Sequence, residues 1–166
     1  MGKVVKKALK PAVATLTAEK NKGVTYSIVH WLGLHGIMSA PVRSDFDVIQ
    51  FGRKGIPKRS LDSLAEYLGI SRKRMAENLF SVSVKTLERK SPQTKLDRKT
   101  SSHALEIARV VQHAYEVFED QEQVKLWLNR PNKALNNMEP VNLMDTLSGL
   151  NMVNDILGRI EEGVYS

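Results

Sequence analysis

A chain of 166 residues with 42% hydrophobic content can bury the core of one ordinary domain or two small ones. It has no cysteine, which excludes disulfides, thiolate metal sites and a cysteine nucleophile. No apolar run approaches the roughly 18 residues of a membrane span, and the N-terminal lysines lack the apolar block of a signal peptide, so a cytoplasmic location is expected.

The net charge of +7 is unevenly divided along the chain. Residues 1–22 hold six Lys and one Glu, lack a sustained period and are interrupted by Pro11, which reads as a disordered basic arm. The stretch VTYSIVHWLGLHGIM, 24–38, is apolar on most sides; its length allows a helix and its Val, Ile and Trp allow a strand, and the preferred reading is a buried helix or helix-like hairpin arm closed by Ala40-Pro41. Ser44 opens a helix in a capping-box pattern with Asp47, and Gly55 is a stop. Pro57 can begin the next helix, in which Leu61, Leu64, Ala65 and Leu68 draw one buried stripe before Gly69. Ser71 caps a helix with Met75, Ala76 and Leu79 inward, and Ser83 caps another with Val84 and Leu87 inward. The polar stretch 91–101, with Pro92, reads as a linker or loop. From Ser102 to Phe118 a long helix is apolar over more than half its circumference, as in a core-spanning or dimer-forming helix. Asp120 caps a helix stopped by Pro131. Pro140 starts a short helix ending at Gly149, and Asn151 caps the last helix, which Gly163 ends. The chain reads as all-α in three parts: an arm and apolar segment over 1–43, a DNA-binding unit over 44–101 and a helical dimerisation and partner-binding unit over 102–166.

Residues 53–99 carry thirteen basic and five acidic side chains, and residues 103–166 carry five basic and ten acidic. The basic middle attracts phosphate backbones, while the acidic end suits a protein partner. Within the basic part, the two short Ser-led helices form a candidate helix-turn-helix. One helix braces the other, which lays polar side chains into a major groove about one helix wide. Ala76 permits their close approach. Lys85 and Arg89, four apart, share the outer face with Thr86. The helix start at Ser83 offers backbone amides to a phosphate. Arg59, Arg72, Lys73, Arg74 and Lys90 are placed to hold the DNA backbone without reading sequence. These turns often carry glycine where Phe80 stands, and LFSVS is about one residue longer than the usual spacing.

His30, His35, His103 and His113 lack metal-ligand spacing and read as structural; no activated nucleophile or phosphate loop stands out. No enzyme activity, cofactor or metal is expected.

The stretch WLNRPNKALNNMEPVNLMDTLSGLNMVNDILGRIEEG resembles the C-terminal toxin-binding domain of the Xre/MbcA/ParS antitoxin family. The motif is a Trp-Leu-x-x-Pro-Asn-x-x-Leu corner (Trp127, Leu128, Pro131, Asn132, Leu135), then a Pro-led helix and a helix ending in Glu-x-Gly (Glu161, Gly163). Upstream, GIP, LGIS and SVKTLERK resemble that family's helix-turn-helix part. The resemblance implies a type II antitoxin that pairs with a RES-domain toxin consuming NAD, forms a homodimer and represses its own operon by binding operator DNA. It also implies that the C-terminal end obstructs the toxin's NAD pocket, assigned here to Glu161, Glu162, Gly163, Val164, Tyr165 and Ser166. The carboxylates would face toxin arginines, and Tyr165 would fill a pocket. Trp127 and Leu135 are expected in the core, so that the corner orients the tail rather than binding. The alternative is a stand-alone helix-turn-helix transcriptional regulator with a partner-sensing C-terminal domain.

Overall fold

The computed structural model of the chain describes residues 24–35 and 44–164. The basic arm over 1–22, the Ala40-Pro41 closure and the site residues Tyr165 and Ser166 lie outside them. Among the described residues the secondary structure is helical, with two isolated β-bridges.

Helix α1 spans Val24–Trp31. It is shorter than the apolar stretch that suggested it, because Gly33 adopts φ +58 and turns the chain so that Leu34 also enters the core. Helix α2, Asp45–Lys54, starts on the expected capping box: Ser44 Oγ accepts from the Asp47 amide, and the Asp47 carboxylate accepts from the Ser44 amide at 3.0 Å. Helix α3 spans Arg59–Leu68 and buries the expected stripe, Leu61, Leu64, Ala65 and Leu68.

Pro57 is not in the first turn of α3. It pairs with Lys95 in an isolated bridge. The polar stretch 92–96 lies along the α2–α3 junction: Lys58 and Arg59 donate to the carbonyls of Thr94 and Pro92 at 2.8 and 3.0 Å, and Leu96 donates to Ile56 at 2.9 Å. Leu96, buried, anchors this loop. Apparent polarity concealed one apolar peg, and the backbone bonds do the rest.

Next come a short helix, α4, Arg72–Arg74, which continues directly into a π-helical turn, Met75–Leu79, and helix α5, Val84–Glu88. The long helix α6, Arg98–Phe118, begins four residues before Ser102, because Asp97 caps it by accepting from the Thr100 amide and hydroxyl at 2.9 and 2.7 Å. These bonds hold the Asp97 carboxyl below its ordinary pKa. Helix α6 is the axis of the fold and packs against α1, α2 and α3 and, on its C-terminal half, against α7, Gln121–Leu128, and α9, Leu147–Glu161. Ser101 ties the start of α6 to the α2–α3 junction: its hydroxyl accepts from the Ile56 amide at 3.1 Å and donates to the Leu96 carbonyl at 3.3 Å.

A 3-10 turn, Lys133–Leu135, and α8, Pro140–Leu143, connect α7 to α9. The Pro-led helix therefore ends at Leu143 rather than Gly149, and α9 is capped by Thr146 rather than Asn151. Gly149 belongs to the first turn of α9. There its amide donates to Thr146 Oγ1 at 3.1 Å, and a Cβ would overlap the Leu143 carbonyl. The glycine marks a close approach, not a stop.

Candidate functional site

The helix-turn-helix occupies residues 71–89. Ser71 caps its first helix, accepting from the Arg74 amide at 3.1 Å. Met75, Ala76 and Leu79 face the core. The extra residue in LFSVS has a definite solution. Residues 75–79 widen into a π turn, which absorbs one residue per turn. The Val82 amide then reaches back to the Ala76 carbonyl at 2.9 Å. Ser81 takes the left-handed conformation, φ +53, so the position suited to glycine is 81 and not 80. Phe80 instead sets its ring edge against His103, with centroids 5.3 Å apart.

Helix α5 rests on Leu87, with Val84 partly buried. Ser83 stands at its N-cap, but its side chain makes no capping bond. Lys85, Thr86 and Arg89 are exposed, and Lys90 is half-exposed at the helix end. These side chains are open to solvent on α5 and at its end. Arg72 is exposed, stands near Val84, Leu87 and Glu88, and is paired with Asp62 at 3.0 Å.

Arg74 does not belong to this group. It points the other way, into the C-terminal half. It is paired with Glu139 and donates to Asn129 Oδ1 at 3.2 Å and Asn142 Oδ1 at 2.9 Å. Its side chain is only 29% exposed. The expectation that it holds a DNA backbone is corrected: both terminal nitrogens of its guanidinium are engaged by the α7 and α8 ends. Asn129 completes the clamp by donating to the carbonyls of Leu68 and Lys125 at 2.7 and 2.8 Å. Neither Asn129 nor Glu139 stood out in the sequence. The partner of a charge 65 residues away carries no local signature.

The second surface lies at the α7–α9 end. Leu135 is buried, as expected of the corner that carries it. Trp127 is not in the core. It is half-buried, its ring tilted against Phe118 at 5.6 Å, and it forms a wall of an open groove of about 640 Å³. The corner prolongs that wall through Arg130, Pro131 and Asn132, and Ile156, Arg159 and Ile160 of α9 form the opposite one. The stripe of α7 points two residues, Val124 and Leu128, to the core and leaves Trp127 at its margin.

Glu161 and Glu162 are both exposed but diverge: Glu161 faces His113 of α6 at 3.4 Å, while Glu162 lies on the groove. Gly163 takes φ +71, and the Val164 amide returns to the Arg159 carbonyl at 2.9 Å. The chain is thereby turned over the groove, with Val164 lining it. Among the described residues no group of three or more His, Asp or Glu is placed to hold a metal, and no helix is long and apolar enough to cross a membrane.

The architecture is a helix-turn-helix followed by a second helical unit built around a Trp-Pro corner. Two family models match in that order. The antitoxin Xre-like helix-turn-helix domain matches residues 47–109, and the antitoxin Xre/MbcA/ParS C-terminal toxin-binding domain matches residues 113–163. A similar protein is "Antitoxin Xre" of Photorhabdus laumondii, 34% identical over 67 residues, which is 40% of this chain and 45% of that protein. The chain thus spans less than half the length of the curated relative it matches. The chain belongs to the Xre/MbcA/ParS antitoxin family.

Proposed function

We propose that the protein is the antitoxin of a type II toxin–antitoxin pair, a non-enzymatic cytoplasmic regulator that binds its toxin through the C-terminal unit and its operator through the helix-turn-helix. The observation that carries this reading is the succession of the two family matches, 47–109 and then 113–163, with exposed basic side chains in the first and an open groove in the second. Family resemblance supports a RES-domain, NAD-consuming toxin as the partner and autorepression by a homodimer as the DNA-linked role.

Lys85, Thr86 and Arg89 are assigned to base contacts, and Arg72, Ser83 and Lys90 to the backbone. Arg72 must exchange Asp62 for a phosphate to do so. The segment Glu161–Ser166 is assigned to obstruction of the toxin's active site, with Gly163 setting its direction. Co-expression with the protein encoded beside it tests the toxin half, read as growth rescue and co-purification. Absence of both rescue and co-purification would end the antitoxin reading. Deletion of Val164–Ser166 tests the obstruction separately: the truncated protein should still co-purify but fail to protect, and full protection would refute the tail's role.

A further inference from the structure

The groove between α7 and α9 has an electrostatic character opposite to that of the C-terminal part as a whole. Residues 103–166 carry twice as many acidic as basic side chains, yet Arg130, Lys133 and Arg159 all stand on this groove, against Glu162 alone. All three cations are exposed, and none has an ion-pair partner among the described residues. Between them stand apolar side chains, with Gln123 and Asn132 also on the lining. Trp127 and Phe118 present tilted rings, and Leu126 is 42% exposed at the edge. Apolar side chains rimmed by cations that have no ion-pair partner among the described residues are complementary to an apolar anchor flanked by carboxylates. Charges of one sign without internal partners on such a rim steer and orient an oppositely charged segment.

We infer that this groove is the primary toxin-docking site and that its occupant is an acidic, amphipathic segment of the toxin, which seats one or two large apolar side chains between Trp127 and Ile156. The inference rests on the antitoxin reading and deepens it. The polarity is the reverse of a contact made by Glu161 and Glu162 with toxin arginines. Affinity resides in the groove, and the tail beyond Gly163, which starts at its rim, has obstruction as its separate task.

The test uses the full chain and the protein encoded beside it, in a binding titration across a salt series. Two variants are made at exposed positions, Leu126→Ser and Arg130→Glu/Lys133→Glu, with thermal unfolding confirming the fold. Each should weaken binding at least about tenfold, the scale of losing a desolvated anchor or reversing complementary charge. The charge variant should also lose most of the salt dependence. Unchanged affinity and salt dependence in folded variants would overturn the inference while leaving the antitoxin reading in place. A Leu126→Ser protein that only changes its mass in light scattering, with toxin binding intact, would overturn it in favour of a second copy of this chain. Absence of any binding by the unaltered protein would remove the antitoxin reading and the docking site together.

Discussion

At the residue scale, the corner around Pro131 separates two side chains that the sequence treats alike. Leu135 is 2% exposed, and truncation to alanine should cost about 2–5 kcal/mol, as for other fully buried leucines. Trp127 is large but only half-buried, so Trp127→Ala should cost less than the roughly 3–5 kcal/mol of a core aromatic. Urea unfolding of the two variants checks the order; a larger loss at Trp127 would mean that its ring is in the core after all. Gly149 carries a sharper expectation. A methyl group there meets the Leu143 carbonyl, and that backbone is held by α8, so Gly149→Ala should destabilise by about 1–3 kcal/mol or more, although alanine favours helix. A stabilised variant would show that α8 can yield. The sequence alone marks Gly149 as a helix stop, since periodicity cannot distinguish a glycine that ends a helix from one that admits a neighbouring carbonyl.

At the scale of elements, the helix-turn-helix was legible because Ser71, the Met75-Ala76-Leu79 stripe and Leu87 obey local rules of capping and period. The additional residue was legible as an oddity, but its accommodation was not. A π turn and a left-handed Ser81 depend on how α4 packs, not on the sequence of LFSVS. Ser81→Gly should relieve the left-handed conformation, whose cost for a non-glycine residue is about 1 kcal/mol, and raise the thermal midpoint slightly. No change, or a loss, would place the strain elsewhere. Arg74 illustrates the converse limit. As one of three consecutive basic residues it looks like a backbone contact, yet its partners lie in α8 and at the end of α7. Arg74→Ala should therefore lower stability by about 1–3 kcal/mol, leaving the partly buried Glu139 carboxylate without its guanidinium, while operator affinity is reduced less than by Arg89→Ala. Equal losses of affinity would return Arg74 to the DNA.

At the scale of the whole molecule, the all-α class, the central place of α6 and the division of charge were visible in periodicity and composition. The joints were not, because Ser101, Asn129 and Arg74 act across long separations. Acid should loosen the molecule. His103 sits between Phe80 and the backbone at Met144, and burial drives its pKa below the ordinary 6.5. The unfolded chain then binds more protons, so this contribution is complete above about 6.5 and is lost as the pH falls through the folded value. Asp97 adds a second loss: its folded pKa lies below the ordinary 3.8, so its contribution is present above that value and vanishes further into acid. Stability measured in urea from neutral pH downward should decline first from the histidine, and His103→Leu should flatten that first decline. A decline unaltered by the substitution would assign it to another group.

A reader on α5 and a partner groove at the α7–α9 end are proposed as two separable surfaces of one chain. The most direct measurement follows Lys85→Ala/Arg89→Ala in two assays: anisotropy of labelled upstream DNA, and co-purification with the protein encoded beside it. Two separable surfaces require abolished DNA binding with undiminished partner binding and an unchanged thermal midpoint. Loss of both together in a folded protein, or retention of DNA binding, would contradict the proposal.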